Sequence, residues 1–95
     1  MNVEVDKKVE KDTEKLPKHV KLKAAKEMKK LRDANSLSEL KNVRDLKGTD
    51  EPYYRLKFGD YRYILYHNHE TDIIEVVALK PRKGSYKKHN LPWRK

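Results

Sequence analysis

Five cationic side chains accompany the strand-like part of this sequence, in positions where a sheet usually carries few charges. They lie between residues 55 and 82 and are Arg55, Lys57, Arg62, Lys80 and Arg82. Arginine presents a planar fork of N–H donors to phosphate oxygens, and lysine is a compact charge that also transfers a proton. Residues of these types at this spacing are suited to binding a phosphodiester and to moving protons around it.

The spacing predicts that several of these charges share one face of a sheet. Side chains two residues apart in a strand point the same way, so Arg55 and Lys57 face away from the intervening Leu56. If Leu56 packs into the core, both cations face outwards, and a short turn brings Arg62 alongside them. Clustered cations repel and lower stability, which indicates a polyanionic ligand. The alternative is that these cations lie on scattered, solvated strand edges and discourage strand-to-strand aggregation.

The composition also favours a polyanionic partner. The chain has 95 residues, 41% of them charged, and 24 Lys and Arg against 15 Asp and Glu give a formal net charge of +9. Such an excess favours RNA, DNA, an anionic membrane or an acidic protein as the partner. The length predicts one small domain over residues 1–95, with one modest core.

Other classes of protein are excluded by what the sequence lacks. It has no cysteine, so disulfide scaffolds, thiolate metal sites and thiol nucleophiles are excluded. No apolar run approaches the roughly 20 residues of a membrane-spanning helix, and residues 1–12 lack the apolar segment of a signal peptide. We therefore expect a cytoplasmic protein without a membrane partner. His67 and His69 are interpreted as exposed turn residues, and no metal or cofactor is expected.

The elements that must position the cations follow from the periodicity of the sequence. Alternation in residues 2–5 predicts a first strand, and Asp6 is the expected N-cap of a helix. Pro17 separates that helix from a second one at about residues 19–34. A brief extended piece is expected at residues 43–48.

Three further strands are predicted at residues 53–58, 61–66 and 73–79. Gly59 suits the turn between the first two because it takes positive φ readily. The third is almost continuously apolar, which predicts that it is the central strand.

Residues 89–95 are expected to form a mobile basic tail. The predicted class is α+β, with an N-terminal strand, a helical hairpin on one face, and an antiparallel three-stranded meander.

Three segments of the sequence carry a recognisable pattern: "LPKHVKLKAAKEMKKL", "LSELKNVRDLKGTDEPYYRLKFGDYRYILY" and "DIIEVVALKPRKGSY". Together they resemble the RelE/ParE superfamily, the toxins of bacterial type II toxin–antitoxin pairs, over about residues 2–88. The resemblance implies a RelE-like fold. It also implies one of two activities: RelE-like members cleave messenger RNA, usually in the ribosomal A site, whereas ParE-like members bind DNA gyrase and are not nucleases.

The RelE-like branch is favoured because both the strand cations and a C-terminal tyrosine match its pattern. By position, the working residues of that branch fall on Arg55, Lys57, Arg62, Lys80 or Arg82, and Tyr86. The resemblance implies an mRNA interferase that acts on ribosome-bound message, a setting that allows contacts to 16S and 23S rRNA. It also implies an acidic antitoxin, whose complex with the toxin binds operator DNA. The alternatives are a gyrase inhibitor and a non-toxic, basic nucleic-acid-binding domain.

A mechanism without histidine fits these positions, because Pro81 and Ser85 stand where relatives often have histidine. RNA is cleaved when its 2′-hydroxyl attacks the adjacent phosphate, which needs a base, positive charge for the phosphorane and an acid, but no metal. We expect Lys57 to be the base, since neighbouring cations disfavour its protonated form, and Arg62 to stabilise the phosphorane. The other expected roles are phosphate binding by Arg55, general acid by Lys80 or Arg82, base stacking or 2′-hydroxyl orientation by Tyr86, and RNA contact by Lys83 and Lys87.

Overall fold

The computed structural model describes residues 1–46 and 52–81 of the chain. Within this part the elements, in chain order, are β1 Asn2–Val5, α1 Lys7–Glu14, α2 Lys18–Asp33, a short 3₁₀ helix Leu37–Glu39, β2 Val43–Asp45, β3 Tyr53–Phe58, β4 Tyr61–Asn68 and β5 Ile73–Pro81. This order confirms the predicted α+β class, and β2 is the extended piece expected after residue 42.

The two helices begin where the local sequence predicts. Asp6 is the N-cap of α1, and its side chain accepts a hydrogen bond from the Lys8 amide at 2.8 Å. Pro17 precedes α2, and its carbonyl accepts the amides of Val20 and Lys21 at 2.9 Å. Proline suits this position because its missing N–H would have no partner in the first turn. The helices are therefore consecutive, as expected for a hairpin.

The five strands form one sheet in the order β1-β5-β4-β3-β2. β1 runs parallel to β5, and every other neighbouring pair is antiparallel. The central strand is β4, so the prediction that the strand at residues 73–79 is central is wrong. The long apolar run of β5 has another cause: its residues pack into apolar clusters on both faces of the sheet.

One face of the sheet packs against the helices and forms the main core. The buried residues of this core are Val9, Ala24, Leu31, Leu56, Phe58, Tyr63, Leu65, Ile74 and Val76. Leu56 and Phe58 alternate with the two cations of β3, as the period of a strand requires. Each large aliphatic side chain buried in this way contributes about 1.5–3 kcal/mol to stability.

A second, smaller apolar cluster lies on the opposite face of the sheet. It consists of Leu46, Tyr53, Ile64 and Ala78, with Tyr66 and Val77 packed against it. The sequence predicts that Arg55 and Lys57 point to this face but does not predict an apolar cluster there. The cluster fills part of the face and leaves the end near the β3–β4 turn to the cations. Gly59 forms that turn with a φ of 58°, as predicted.

None of the helices in the described ranges has the length and apolar character needed to cross a bilayer.

A partly buried pair of hydroxyl groups links α1 to the sheet. The Tyr63 Oη lies 2.8 Å from Thr13 Oγ1, and Thr13 Oγ1 donates to the Val9 carbonyl at 2.8 Å. Burial raises the pKa of Tyr63, and the hydrogen bond with Thr13 partly offsets that rise. The folded protein therefore disfavours the Tyr63 phenolate.

We predict that Tyr63→Phe lowers the free energy of unfolding by about 1 kcal/mol at neutral pH, because one buried hydrogen bond is lost. Above a pH of about 10 the wild type loses stability as pH rises, since the unfolded tyrosine releases its proton first. The variant lacks this contribution, so the stability difference between the two proteins shrinks at alkaline pH. Urea unfolding at neutral and alkaline pH measures both effects.

Tyr61→Phe is the matched control, because the Tyr61 hydroxyl has no hydrogen-bond partner among residues 1–46 and 52–81. It should change the free energy of unfolding by less than about 0.5 kcal/mol. A constant difference between wild type and Tyr63→Phe across the alkaline range would contradict the role of burial at Tyr63.

Candidate nucleic-acid interface

Cross-strand pairing brings Lys57, Arg62 and Lys80 into one row. Lys57 pairs with Arg62 across β3 and β4, and Arg62 pairs with Lys80 across β4 and β5. Directly paired residues of antiparallel strands point to the same face, with their Cβ atoms about 5 Å apart. We call these three residues the cation row. It crosses the sheet beside the β3–β4 turn, on the face opposite the helices, which we call the cation face.

Lys57 and Arg62 are a non-hydrogen-bonded pair, the closer of the two antiparallel arrangements. The Lys57 amide donates to the Asn42 carbonyl at 3.0 Å, on the β2 side of β3, and not to β4. The Cα atoms of such a pair lie about 4.5 Å apart, so the two side chains are immediate neighbours. Lys57 is exposed and Arg62 is half-buried. Like charges placed directly opposite each other destabilise a sheet.

A β-bulge sets the direction of Lys80. In the β4–β5 ladder, Val77 stands unpaired between Val76 and Ala78. Val76 is buried in the main core, whereas Ala78 is buried in the cluster on the cation face. Strict alternation would place Lys80 on the same face as Val76. The extra residue instead turns Lys80 towards the face of Arg62, as bulges next to functional sites often do.

Two more cations extend the positive charge towards the edge of the sheet. Arg44 of β2 pairs with Arg55 of β3, and Arg55 lies two residues from Lys57 on the same strand. All three therefore face the same way. Sequence reasoning missed Arg44, because β2 is too short to show alternation. Only the pairing of β2 with β3, which places Arg44 directly opposite Arg55, identifies Arg44 as part of this face.

Four predicted site residues are thus brought together on the cation face: Arg55, Lys57, Arg62 and Lys80. The alternative of scattered strand edges is wrong for these residues, because they occupy three adjacent strands. The remaining predicted site residues lie outside the described ranges: Arg82, Lys83, Tyr86 and Lys87. The expected mobile tail at residues 89–95 also lies outside them.

The two histidines lie in and beside the β4–β5 turn, at the opposite end of β4 from the cation row. His69 is exposed as predicted, whereas His67 is half-buried, with its Nε2 3.0 Å from Asp72 Oδ1. The two imidazole rings are 4.1 Å apart between centroids. No group of three or more His, Asp or Glu side chains suited to a metal ion occurs in the part of the chain that the structure describes.

The spacing of the cation row suits one phosphodiester lying across the strands. Neighbouring strands are about 4.8 Å apart, so the Cα atoms of Lys57 and Lys80 are about 10 Å apart, on either side of Arg62. Guanidinium groups are suited to binding phosphate oxygens, and ammonium groups are suited to transferring protons. The row therefore holds the side-chain types that charge neutralisation and proton transfer at a phosphodiester require.

Comparisons with known proteins agree on one family. A family model, described as the ParE toxin of the type II toxin–antitoxin system parDE, matches residues 3–86. A search of curated proteins found no match. A chain of the archaeal RelE–RelB complex from Pyrococcus horikoshii OT3 is 30% identical with a TM-score of 0.71, and the alignment covers 88% of this chain and 97% of that chain.

Two further solved structures share the fold. A chain of the RelB–RelE antitoxin–toxin complex from Methanococcus jannaschii is 27% identical, with a TM-score of 0.68 and coverage of 88% of this chain and 95% of that chain. The isolated E. coli RelE toxin is 18% identical, with a TM-score of 0.66 and coverage of 88% and 86%. At that identity, the E. coli structure supports the fold alone.

We predict that Lys57→Met raises the free energy of unfolding by about 0.2–1 kcal/mol at low ionic strength, because it removes a cation placed directly opposite Arg62. Methionine keeps an unbranched stem of similar length. The gain should shrink as salt is added, since salt already screens the repulsion. Urea unfolding at low and high salt measures the difference.

Lys29→Met is the control, since it changes the net charge equally but removes a cation 3.0 Å from the Asp33 carboxylate. It should give no gain in stability at any salt concentration. If Lys57→Met is less stable than the wild type at low salt, the inferred repulsion within the cation row is refuted.

Proposed function

Because this chain belongs to the RelE/ParE superfamily of toxins from type II toxin–antitoxin systems, we propose that it is a ribosome-dependent endoribonuclease. It acts in the cytoplasm, cleaves messenger RNA on the ribosome and so inhibits translation. The single observation that carries this proposal is the cation row. Three like charges held side by side at a cost in stability suit a phosphodiester, and two of the three side chains are of a type that can also transfer a proton.

The proposed reaction is attack by the RNA on its own backbone. The 2′-hydroxyl oxygen forms a bond to the adjacent phosphorus, and the bond from phosphorus to the 5′-oxygen breaks. The products are a 2′,3′-cyclic phosphate and a free 5′-hydroxyl. One proton leaves the 2′-hydroxyl and one joins the 5′-oxygen, so the reaction needs a base and an acid on opposite sides of the phosphorus.

The cation row supplies these groups in that order. Arg62 lies in the middle and neutralises the charge that grows on the phosphorane oxygens. Lys57 accepts the proton of the 2′-hydroxyl from one side. Lys80 gives a proton to the leaving 5′-oxygen from the other side, about 10 Å away across the two interstrand spacings. We favour Lys80 over Arg82 as the acid, because an ammonium group releases a proton more readily than a guanidinium.

Other residues hold the message around that phosphate. Arg55 and Arg44 bind the phosphates that lie towards β2, because their pairing continues the charge in that direction. Tyr86 stacks on a base or orients the 2′-hydroxyl, and Lys83 and Lys87 contact the RNA backbone. Ribosomal RNA provides further phosphate contacts.

The partner that restrains this activity is an acidic antitoxin. The P. horikoshii and M. jannaschii matches are themselves complexes of RelE with RelB. A polypeptide rich in Asp and Glu would cover the cations and relieve their mutual repulsion. The resulting complex is also proposed to bind operator DNA.

A second candidate function is inhibition of DNA gyrase without catalysis. It is favoured by one observation, the match of residues 3–86 to the ParE toxin family. A third candidate, a non-toxic domain that binds nucleic acid, uses the same positive charge without the proton transfers. The nuclease predicts early cleavage of transcripts, and the gyrase inhibitor predicts an early block in DNA synthesis. The non-toxic domain predicts neither effect.

Induced expression in bacteria separates the three functions. Transcript integrity and DNA synthesis are followed in parallel during the first minutes after induction. The proposed nuclease cuts messages within codons before DNA synthesis slows. An early block in replication with intact transcripts would instead establish the gyrase inhibitor, and growth without either effect would establish the non-toxic domain.

We predict that Arg62→Ala slows cleavage of ribosome-bound message by about a hundredfold, the usual effect of removing one charge-stabilising donor. Arg32→Ala, on the exposed surface of α2, is the control for losing an arginine and should cleave at the wild-type rate. Circular dichroism checks that both variants are folded. Wild-type cleavage by Arg62→Ala would remove Arg62 from the mechanism.

A further inference from the structure

Asn42 completes the hydrogen bonding of Lys57 beyond the end of a strand. β2 begins at Val43, one residue short of the position opposite Lys57. The Asn42 carbonyl accepts the Lys57 amide at 3.0 Å, and the Asn42 Nδ2 donates to the Lys57 carbonyl at 3.0 Å. A side-chain amide thus takes the place of the backbone donor that a longer β2 would supply.

Glu27 of α2 holds the Asn42 side chain from the helix layer. The Asn42 Nδ2 also donates to Glu27 Oε1 at 2.5 Å, and Lys30 Nζ lies 3.4 Å from the other carboxylate oxygen. Both partners of Nδ2 are acceptors, so the amide has one orientation and both of its hydrogens are used. The Glu27 side chain is only 15% exposed, so it is well shielded from water. The helix layer is thereby tied directly to the backbone of Lys57.

This connection lies where the cation row needs support. Lys57 is the penultimate residue of β3 and lies directly opposite Arg62, so a like-charge repulsion acts at the end of the strand. We infer that Asn42, held by Glu27, is a positioning residue that keeps Lys57 in register with Arg62. The inference rests on the proposed function in so far as the pair acts on RNA. The register itself is a property of the fold and is measurable without any reaction.

The closing experiment compares two asparagines that each donate to a glutamate. Asn42→Ala removes the support of Lys57. Asn68→Ala is the matched control, because Asn68 Nδ2 donates to Glu75 Oε2 at 3.2 Å at the other end of β4. Amide hydrogen exchange at Lys57 should become about tenfold faster in Asn42→Ala, as expected for the loss of about one hydrogen bond. It should not change in Asn68→Ala.

The catalytic readout uses the same variants in the full chain on programmed ribosomes. Asn42→Ala should lower kcat about tenfold with little change in KM, because binding by the other cations persists. Glu27→Ala should match it, and Glu27→Gln should recover most of the loss because the amide oxygen still accepts from Asn42. The double variant Asn42→Ala/Glu27→Ala should be no worse than either single variant.

Several results would overturn the inference. They are unchanged exchange at Lys57 in Asn42→Ala, an equal loss of activity in Asn68→Ala, and additive losses in the double variant. If the wild type leaves the message intact, the proposed nuclease function fails. The inference is then decided by amide exchange at Lys57, which needs no reaction. That exchange should still become about tenfold faster in Asn42→Ala and stay unchanged in Asn68→Ala, and equal rates in the two variants would refute the inference.

Discussion

Repulsion within the cation row has to be balanced by burial on the opposite face of the same strands. Lys57, Arg62 and Lys80 sit on adjacent strands, and the ladder keeps those strands about 4.8 Å apart whatever their side chains carry. Next to them along the chain, Leu56 and Tyr63 are buried beneath the helices. A like-charged pair costs about 0.2–1 kcal/mol, whereas one buried aliphatic side chain contributes about 1.5–3 kcal/mol. The core therefore outweighs the repulsion, and the row forms without a ligand.

The apolar cluster on the cation face explains why the charge is confined to one end of the sheet. Ile64 and Ala78 occupy the next cross-strand position after Arg62 and Lys80, and Ile64 is completely buried. The cations therefore have apolar atoms on one flank and water on the other. A low-dielectric flank strengthens the attraction between a cation and a phosphate.

Local patterns in the sequence were sufficient for most of the fold and for part of the site. Asp6, Pro17 and Gly59 each act on their own neighbours, so the helix starts and the hairpin turn were predictable. The shared face of Arg55 and Lys57 follows from strand period alone. Strand order was not predictable in this way, because an apolar run does not distinguish the central strand from another internal strand. Arg44 and Asn42 matter only through partners more than ten residues away, which no local pattern reveals.

The bulge at Val77 decides which side chain of β5 lies on the cation face. Without it, alternation through β5 would carry Leu79 to the cation face and Lys80 into the core beneath the helices. An ammonium group buried there without a partner costs far more than a leucine gains. The bulge removes that conflict, since Leu79 packs against the core while Lys80 pairs with Arg62. The unpaired Val77 therefore allows β5 to place the apolar Leu79 on the core face and the cationic Lys80 on the cation face.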